Sequence, residues 1–365
     1  METYVPQPGA ALDEIDTPSL LVDHDKLMAN IRRMAEVFQD RPAGLRPHAK
    51  THKCVEIARA QIEHGAVGIT CAKLGEAEVM ADGGIQDILI ANQIIGPIKI
   101  RRLMDLAKRC RVAVAVDDES NVRDLSEAAQ AAGVPLRCLV EVDIGMSRCG
   151  VEPGEPALGL ARLVTASPGL EFGGLQAYEG HLQEVVPFEQ RRSRARADMQ
   201  RAVDTRRLIE EAGIPVPVIS GGGTGTHAIT GVMAGVDEIQ AGSYATMDGN
   251  YRKAGAPFEN ALTLLTTVVS RPRPEVAIVD AGLKTVTPEF GVPTVLLAGA
   301  TYTEFSEEHG TLELVGEARV LALGDKIELI PAHGCTTINL HDRLYVMHDG
   351  RLQETWAVAA RGRSR

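Results

Sequence analysis

Arg46-Pro47-His48-Ala49-Lys50-Thr51-His52-Lys53 follows directly on the extended Ala43-Gly44-Leu45, and the fold turns on what this cationic run is. Pro47 has no backbone N–H to donate and biases Arg46 away from the helical region, so the segment reads as the end of a strand. In a barrel strand alternate side chains point inward, which predicts His48, Lys50 and His52 on one face and Ala49 and Thr51 on the other. A lysine aimed into such an interior is costly unless its chemistry is used. A solvated basic face is the plainer meaning of such a run. A helical metal pair is disfavoured by Pro47 and by the missing glutamate between the two histidines.

Upstream, Asp23 is placed to cap an amphipathic helix running to Phe38, with Leu27, Ile31, Met34 and Val37 on one face. Downstream, a helix over 54–64 stops at Gly65, and the text then becomes rhythmic. Short apolar runs at 67–72, 88–92, 112–116, 138–142, 172–178, 216–220 and 238–242 alternate with helical patterns at 98–109, 121–132, 157–166 and 187–212. With the opening strand this is the signature of parallel strands joined by crossover helices, and a (β/α)8 barrel fits it better than an open sheet. Beyond Leu262 the long helical patterns stop and short strands are predicted at 276–279, 312–315, 326–330, 344–348 and 354–358. The expected division is therefore a barrel over 24–261 and a β-rich domain from 1–23 with 262–365.

A chain of 365 residues can bury a large core. Its net charge of −11 argues against nucleic acid or an anionic membrane as partner, since both need concentrated positive charge. The one basic cluster, Arg191-Arg192-Ser193-Arg194-Ala195-Arg196, reads as a solvated helix face. No apolar run approaches the length of a membrane span, and Met1-Glu2-Thr3-Tyr4-Val5-Pro6 has no signal-peptide pattern, so a cytoplasmic protein is expected. The six cysteines show no C-x-x-C pairing and are expected to be reduced.

Chemistry in such a barrel sits at the C-terminal ends of the strands, often with phosphate on the loops after the last two. Those loops are expected to be Ser220-Gly221-Gly222-Gly223-Thr224-Gly225-Thr226 and Gly242-Ser243-Tyr244. Glycines let backbone N–H groups approach a phosphate and the hydroxyls add donors. Neither a P-loop nor a G-x-G-x-x-G pattern is present. Tight turns alone would explain one such loop, but two, with a lysine ending the first strand, point to pyridoxal 5'-phosphate.

The opening run, together with Asp143-Ile144-Gly145-Met146-Ser147-Arg148-Cys149-Gly150-Val151, Gln176-Ala177-Tyr178-Glu179-Gly180-His181 and Pro331-Ala332-His333-Gly334-Cys335-Thr336-Thr337, resembles the D-threonine aldolase and D-serine dehydratase family. The likeness spans nearly the whole chain. It implies a fold-type III pyridoxal phosphate enzyme, a relative of alanine racemase with a barrel and a β-domain. Lys50 is then the lysine that holds the cofactor as a Schiff base, its amine helped toward neutrality by cations at Arg46, His52 or Lys53. Arg148 and Tyr178 match positions against the cofactor ring and substrate. Ser220, Gly222, Gly223, Thr224, Gly242, Ser243 and Tyr244 are the expected cofactor contacts, and His181 either shapes substrate binding or caps a turn.

His333 and Cys335 match the family's metal pair, for manganese, magnesium or zinc. Imidazole with thiolate suits zinc, and the aldolases often carry aspartate where this chain has Cys335. The resemblance implies a homodimer acting on a D-3-hydroxy-amino acid. Retro-aldol cleavage to glycine and an aldehyde is the expectation, because Tyr178-Glu179-Gly180-His181 resembles the aldolases. D-serine or D-3-hydroxyaspartate dehydration, toward which Cys335 pulls, is the alternative. A noncatalytic pyridoxal phosphate-binding protein is a further one, opposed by the second domain.

Overall fold

The computed structural model describes residues 4–365, so Met1, Glu2 and Thr3 of the N-terminal stretch lie outside the described residues. In chain order the first half comprises β1 (Ser19–Asp23), α1 (His24–Phe38), β2 (Gly44–Leu45), α2 (Val55–Glu63), β3 (Ile69–Cys71), α3 (Leu74–Asp82), β4 (Asp87–Gln93), α4 (Pro97–Ala107), β5 (Arg111–Val116), α5 (Glu119–Ala132) and β6 (Leu136–Glu141). There follow α6 (Glu155–Ala166), β7 (Leu170–Ala177), α7 (Phe188–Glu211), β8 (Ile219–Gly221), α8 (His227–Thr230), β9 (Glu238–Ile239) and α9 (Gly249–Lys253). The rest is β10 (Leu262–Arg273), β11 (Val276–Val279), β12 (Thr294–Val295), β13 (Ala300–Phe305), β14 (Gly310–Leu314), β15 (Lys326–Ile330), α10 (Gly334–Ile338), β16 (Arg343–His348) and β17 (Arg351–Ala357).

The chain forms two compact units. One comprises Arg33–Lys50, Ile57–Gly242 and the last four residues; the other comprises the chain up to Arg32, Thr51–Glu56 and Ser243–Arg361. In the first, eight parallel strands pair in the order β2-β9-β8-β7-β6-β5-β4-β3, and a parallel bridge between His48 and Thr70 joins the two ends into a ring. It is a (β/α)8 barrel. Strands buried on both faces need continuous apolar text, as in Val112 to Val116 of β5, whose five residues are all buried.

Arg46 ties the ring together. Its guanidinium forks onto Glu238 at 2.9 and 2.8 Å and reaches Asp87 at 2.7 Å, linking the chain after β2 to β9 and β4. Burial opposes its charge, but Glu238 and Asp87 outweigh that and raise its proton affinity. Its charge is thus paired with two carboxylates of the barrel wall. Arg191 corrects an expectation. It is buried, donates to Val185 O at 2.9 Å and lies over the Phe188 ring, while Arg192, Arg194 and Arg196 form the solvated face.

The opening strand is shorter than predicted. The ladder ends where His48 N donates to Ala241 O and Ala49 N to Thr70 O, and Ala49 to His52 form a turn. Lys50 and His52 therefore do not share a strand face with His48; the chain has already left the ladder when it reaches the lysine.

The second unit is β-rich. Its nine-stranded sheet runs β13-β14-β11-β10-β1-β16-β17, with β15 on β10 and β12 on β15. All pairs are antiparallel except β1 with β16. Ile15, Leu21, Leu265, Tyr345 and Leu352 form a buried cluster on this sheet. The strand β10, 12 residues long, was not expected from its mixed text of threonine, serine and arginine.

Candidate active site

In the barrel unit three predicted residues meet at one ring. Nζ of Lys50 lies 5.5 Å from the Tyr178 ring centroid, and Cζ of Arg148 lies 5.7 Å from the same centroid. Both are within cation–π range. Tyr178 follows β7 directly, and Arg148 sits in the loop after β6, so the group lies at C-terminal strand ends.

The loop after β6 is shaped by its own carboxylate. Asp143 Oδ1 accepts the N–H groups of Gly145 at 2.9 Å and Ser147 at 3.0 Å, which lets Ser147 adopt a φ of 55° just before Arg148. Gly180 allows the next close approach, since a Cβ there would lie 2.5 Å from Tyr178 Cε1 and 2.8 Å from Met146 Sδ. Glu141 ends β6 buried. Gln93 Nε2 donates to it at 2.5 Å and to Asp117 at 3.0 Å, and Asp117 takes Gly150 N at 2.9 Å. Burial pushes the Glu141 carboxyl up, against Gln93 and the charge of Arg148, which lower it.

The glycine-rich loop after β8 is braced from within. Gly223 N donates to Thr226 Oγ1 at 3.1 Å and Gly225 N to Gln183 Oε1 at 2.9 Å, while Gln183 Nε2 reaches Thr226 Oγ1 at 3.0 Å. The Gly223 and Gly225 amides are thus held by protein groups. Gly222 packs close to Thr230, and Thr224 is buried with its carbonyl against His227 Nδ1. Ser220 Oγ accepts from Gln240 Nε2 at 2.8 Å, whose other bond goes to Gln176. Beneath lies Glu179, fully buried, its proton affinity raised by burial against the hydroxyls of Thr226 and Thr230 and the N–H of Gly222.

Gly242 ends the barrel unit, and Ser243 and Tyr244 belong to the second. Tyr244 is fully buried with its ring tilted on Phe258 at 5.6 Å. His52 is fully buried too, its Nδ1 accepting Cys54 N at 3.1 Å, so it fixes the turn leading into α2.

The second unit brings His333 and Cys335 together with a residue that the sequence did not reveal. Nδ1 of His333 lies 3.0 Å from Oδ2 of Asp248, which has no exposed surface and also accepts the N–H groups of Gly334 at 3.0 Å and Tyr251 at 2.9 Å. The Phe290 ring stands edge-on to the imidazole at 5.2 Å. Cys335 Sγ lies 3.4 Å from Thr51 Oγ1 and 3.7 Å from Ser243 Oγ. Burial opposes a charge on His333, yet Asp248 and Cys335 prevail and push its pKa up to about 11. Surroundings that favour a proton this strongly favour a metal cation in its place. With Nδ1 held by a carboxylate, Nε2 is the nitrogen oriented for coordination.

Glu141, Asp248 and Asp198, whose Oδ2 lies 3.0 Å from His181 Nε2, were missed. Glu141 carried a signal, a carboxylate closing the apolar Leu139-Val140 of an interior strand. Asp248 carried only a helix cap, its side chain accepting Tyr251 N at the start of α9, and nothing local ties it to a histidine 85 residues on.

A primary amine and a guanidinium on one aromatic ring, at the mouth of a parallel barrel with a glycine- and hydroxyl-rich loop, fit an aromatic aldehyde cofactor. Fold and donor set together define a fold-type III pyridoxal phosphate enzyme. The chain belongs to the alanine racemase N-terminal domain family, whose model matches residues 22–249, and residues 261–347 match the putative serine dehydratase domain. It is 42% identical to a D-threonine aldolase of an Arthrobacter species, over 98% of this chain and 96% of that one. It is 38% identical to a 3-hydroxy-D-aspartate aldolase of Paracoccus denitrificans strain Pd 1222, over 98% and 95%. The crystal structure of D-threonine aldolase from Filomicrobium marinum superimposes with a TM-score of 0.95 at 40% identity, covering 98% of this chain and 99% of that one.

Proposed function

We propose that this protein is a D-threonine aldolase, cleaving D-threonine and other D-3-hydroxy-amino acids to glycine and an aldehyde with pyridoxal phosphate and a divalent metal. The observation that carries this is the near full-length likeness to the Arthrobacter D-threonine aldolase, joined to the cluster of Lys50 and Arg148 on the Tyr178 ring.

Lys50 would anchor the cofactor through Nζ, and its amine would be a local proton carrier. Arg148 offers a guanidinium to the cofactor or the substrate carboxylate, and Glu141 behind it supplies the balancing charge. Tyr178 presents a ring face to both cations and limits where they lie. Bound pyridoxal phosphate supplies an electron sink for the pair left on the substrate's Cα.

His333 through Nε2 and Cys335 through its thiolate would hold the divalent ion, Asp248 fixing the imidazole. A metal there would lower the pKa of a hydroxyl bound to it. The thiolate favours zinc over the harder manganese or magnesium. Two protein ligands leave open positions for water and substrate.

Six free cysteines support a reducing compartment, the cytoplasm, and the resemblance supports a homodimer. No helix among the described residues is long and apolar enough to cross a membrane. Supplying the purified protein with cofactor, metal and D-threonine tests the function: glycine with acetaldehyde is expected, and 2-oxobutanoate would mark the dehydratase that Cys335 also suits.

A further inference from the structure

The parallel register of β1 on β16 brings together polar side chains that neither the cofactor nor the His333 and Cys335 pair uses. Asp23 stands opposite Met347, so the next residues, His24 opening α1 and His348 ending β16, leave the sheet side by side. Their rings meet edge to face with centroids 6.0 Å apart. Asp25 reaches both: its Oδ1 lies 3.7 Å from His24 Nδ1 and its Oδ2 lies 3.1 Å from His348 Nδ1. On the other edge of the His348 ring, Nε2 lies 3.5 Å from Oδ2 of Asp349, in the turn between β16 and β17. All four residues belong to the β-rich unit.

Two imidazoles and a carboxylate are the donor set of a borderline transition-metal ion, and zinc takes such sets with a fourth position left open. Among the described residues, His24, Asp25 and His348 are the histidine, cysteine and acidic side chains that can each bring one ligand atom within 4.8 Å of the other two. Bonds of about 2.1 Å set ligand atoms about 3.4 Å apart around a tetrahedral ion. The separations of 3.1 and 3.7 Å from Asp25 bracket that value, and the three side chains, 31%, 65% and 47% exposed, are free to close the rest. Asp349 stands where a carboxylate orients a ligating imidazole. An imidazolium held between Asp25 and Asp349 would use His348 alone and give no part to His24. The positive end of α1 opposes a cation, but a carboxylate already meets it, since Asp23 Oδ1 accepts Lys26 N at 3.0 Å.

We propose that His24, Asp25 and His348 form a further metal site, for zinc or a similar transition-metal ion, with a structural role. An ion held there joins the first turn of α1 to the end of β16, two elements far apart in the sequence. The unfolded chain does not bring these ligands together, so the ion binds the folded state and stabilises it. The site takes no part in turnover and stands whatever reaction the barrel unit serves.

Zinc titration of the cofactor-loaded protein, carrying no affinity tag and read by competition with a chromogenic chelator, counts the ions. His24→Gln and His348→Gln should each bind one zinc ion fewer per chain than the wild type. Zinc should raise the melting temperature of the wild type by more than it raises that of either variant, and His333→Ala should keep this difference. Melting curves without zinc check that the two surface variants fold, and their turnover at saturating zinc should equal that of the wild type. A zinc count in both variants equal to the wild-type count would overturn the proposal and leave the cluster an ion pair only. So would loss of turnover in a folded, zinc-saturated variant, which would make the site part of the reaction instead of the scaffold.

Discussion

Nδ1 of His333 lies 3.0 Å from Oδ2 of Asp248, and that carboxylate has no exposed surface and holds two further backbone N–H groups. The imidazole is therefore fixed in orientation before any ion arrives. Asp248→Asn is expected to weaken metal affinity by about 10- to 100-fold, as loss of a carboxylate behind a ligating histidine does. Competition titration with a chromogenic chelator measures it, and the visible cofactor band should persist. Unaltered affinity would remove Asp248 from the metal centre.

Lys50→Ala should abolish both turnover and the visible band of the bound cofactor, a band that borohydride removes from the wild type. The amine on the Tyr178 face is the anchoring group proposed for the barrel unit. Retention of the band would assign the anchor to another lysine.

Arg46→Ala should destabilise the protein by about 3–5 kcal/mol in urea unfolding, because it strands the largely buried Glu238 and leaves Asp87 only the exposed Arg111 at 3.4 Å. Arg46 holds three strand ends and touches no cofactor group, so residual activity per folded molecule should be retained. A loss below 1 kcal/mol would mean that the fork contributes as little as a surface ion pair.

Glu179 gives a pH dependence with a definite sign. Burial raises its pKa above the ordinary 4.5, so the folded state binds this proton more tightly than the unfolded state. Its contribution to stability is present at low pH and is lost as pH rises above 4.5 through the raised folded value. Glu179→Gln removes that loss, so the variant should gain on the wild type as pH is raised from 4 to 8. Parallel stability curves over that range would show that Glu179 folds with its ordinary affinity.

Much of the fold was legible because its signals are local. β11 and β15 stand where alternating apolar text and turn residues put them, and α1 and α6 end at Phe38 and Ala166 as their periodicity indicates. The lysine's setting was only half legible. Proline marked the strand's end, but the point where the ladder stops depends on which carbonyls on the neighbouring chain, Thr70 and Ala241, are in reach. The acid partners were harder still. His181 with Asp198 and His333 with Asp248 are joined by the docking of one element on another, and neither spacing matches a helix or strand repeat. Arg46 and Arg191 stand in basic runs that read most plainly as solvated faces and are buried, because only tertiary packing supplies the carboxylates and carbonyls that hold them.

The most direct measurement is product analysis of purified protein given pyridoxal phosphate and zinc or manganese, offered D-threonine and D-serine separately. Glycine and acetaldehyde in equal amounts from D-threonine are predicted. Pyruvate from D-serine, or 2-oxobutanoate in place of glycine from D-threonine, would contradict the retro-aldol assignment and make the metal an acid for a departing hydroxide.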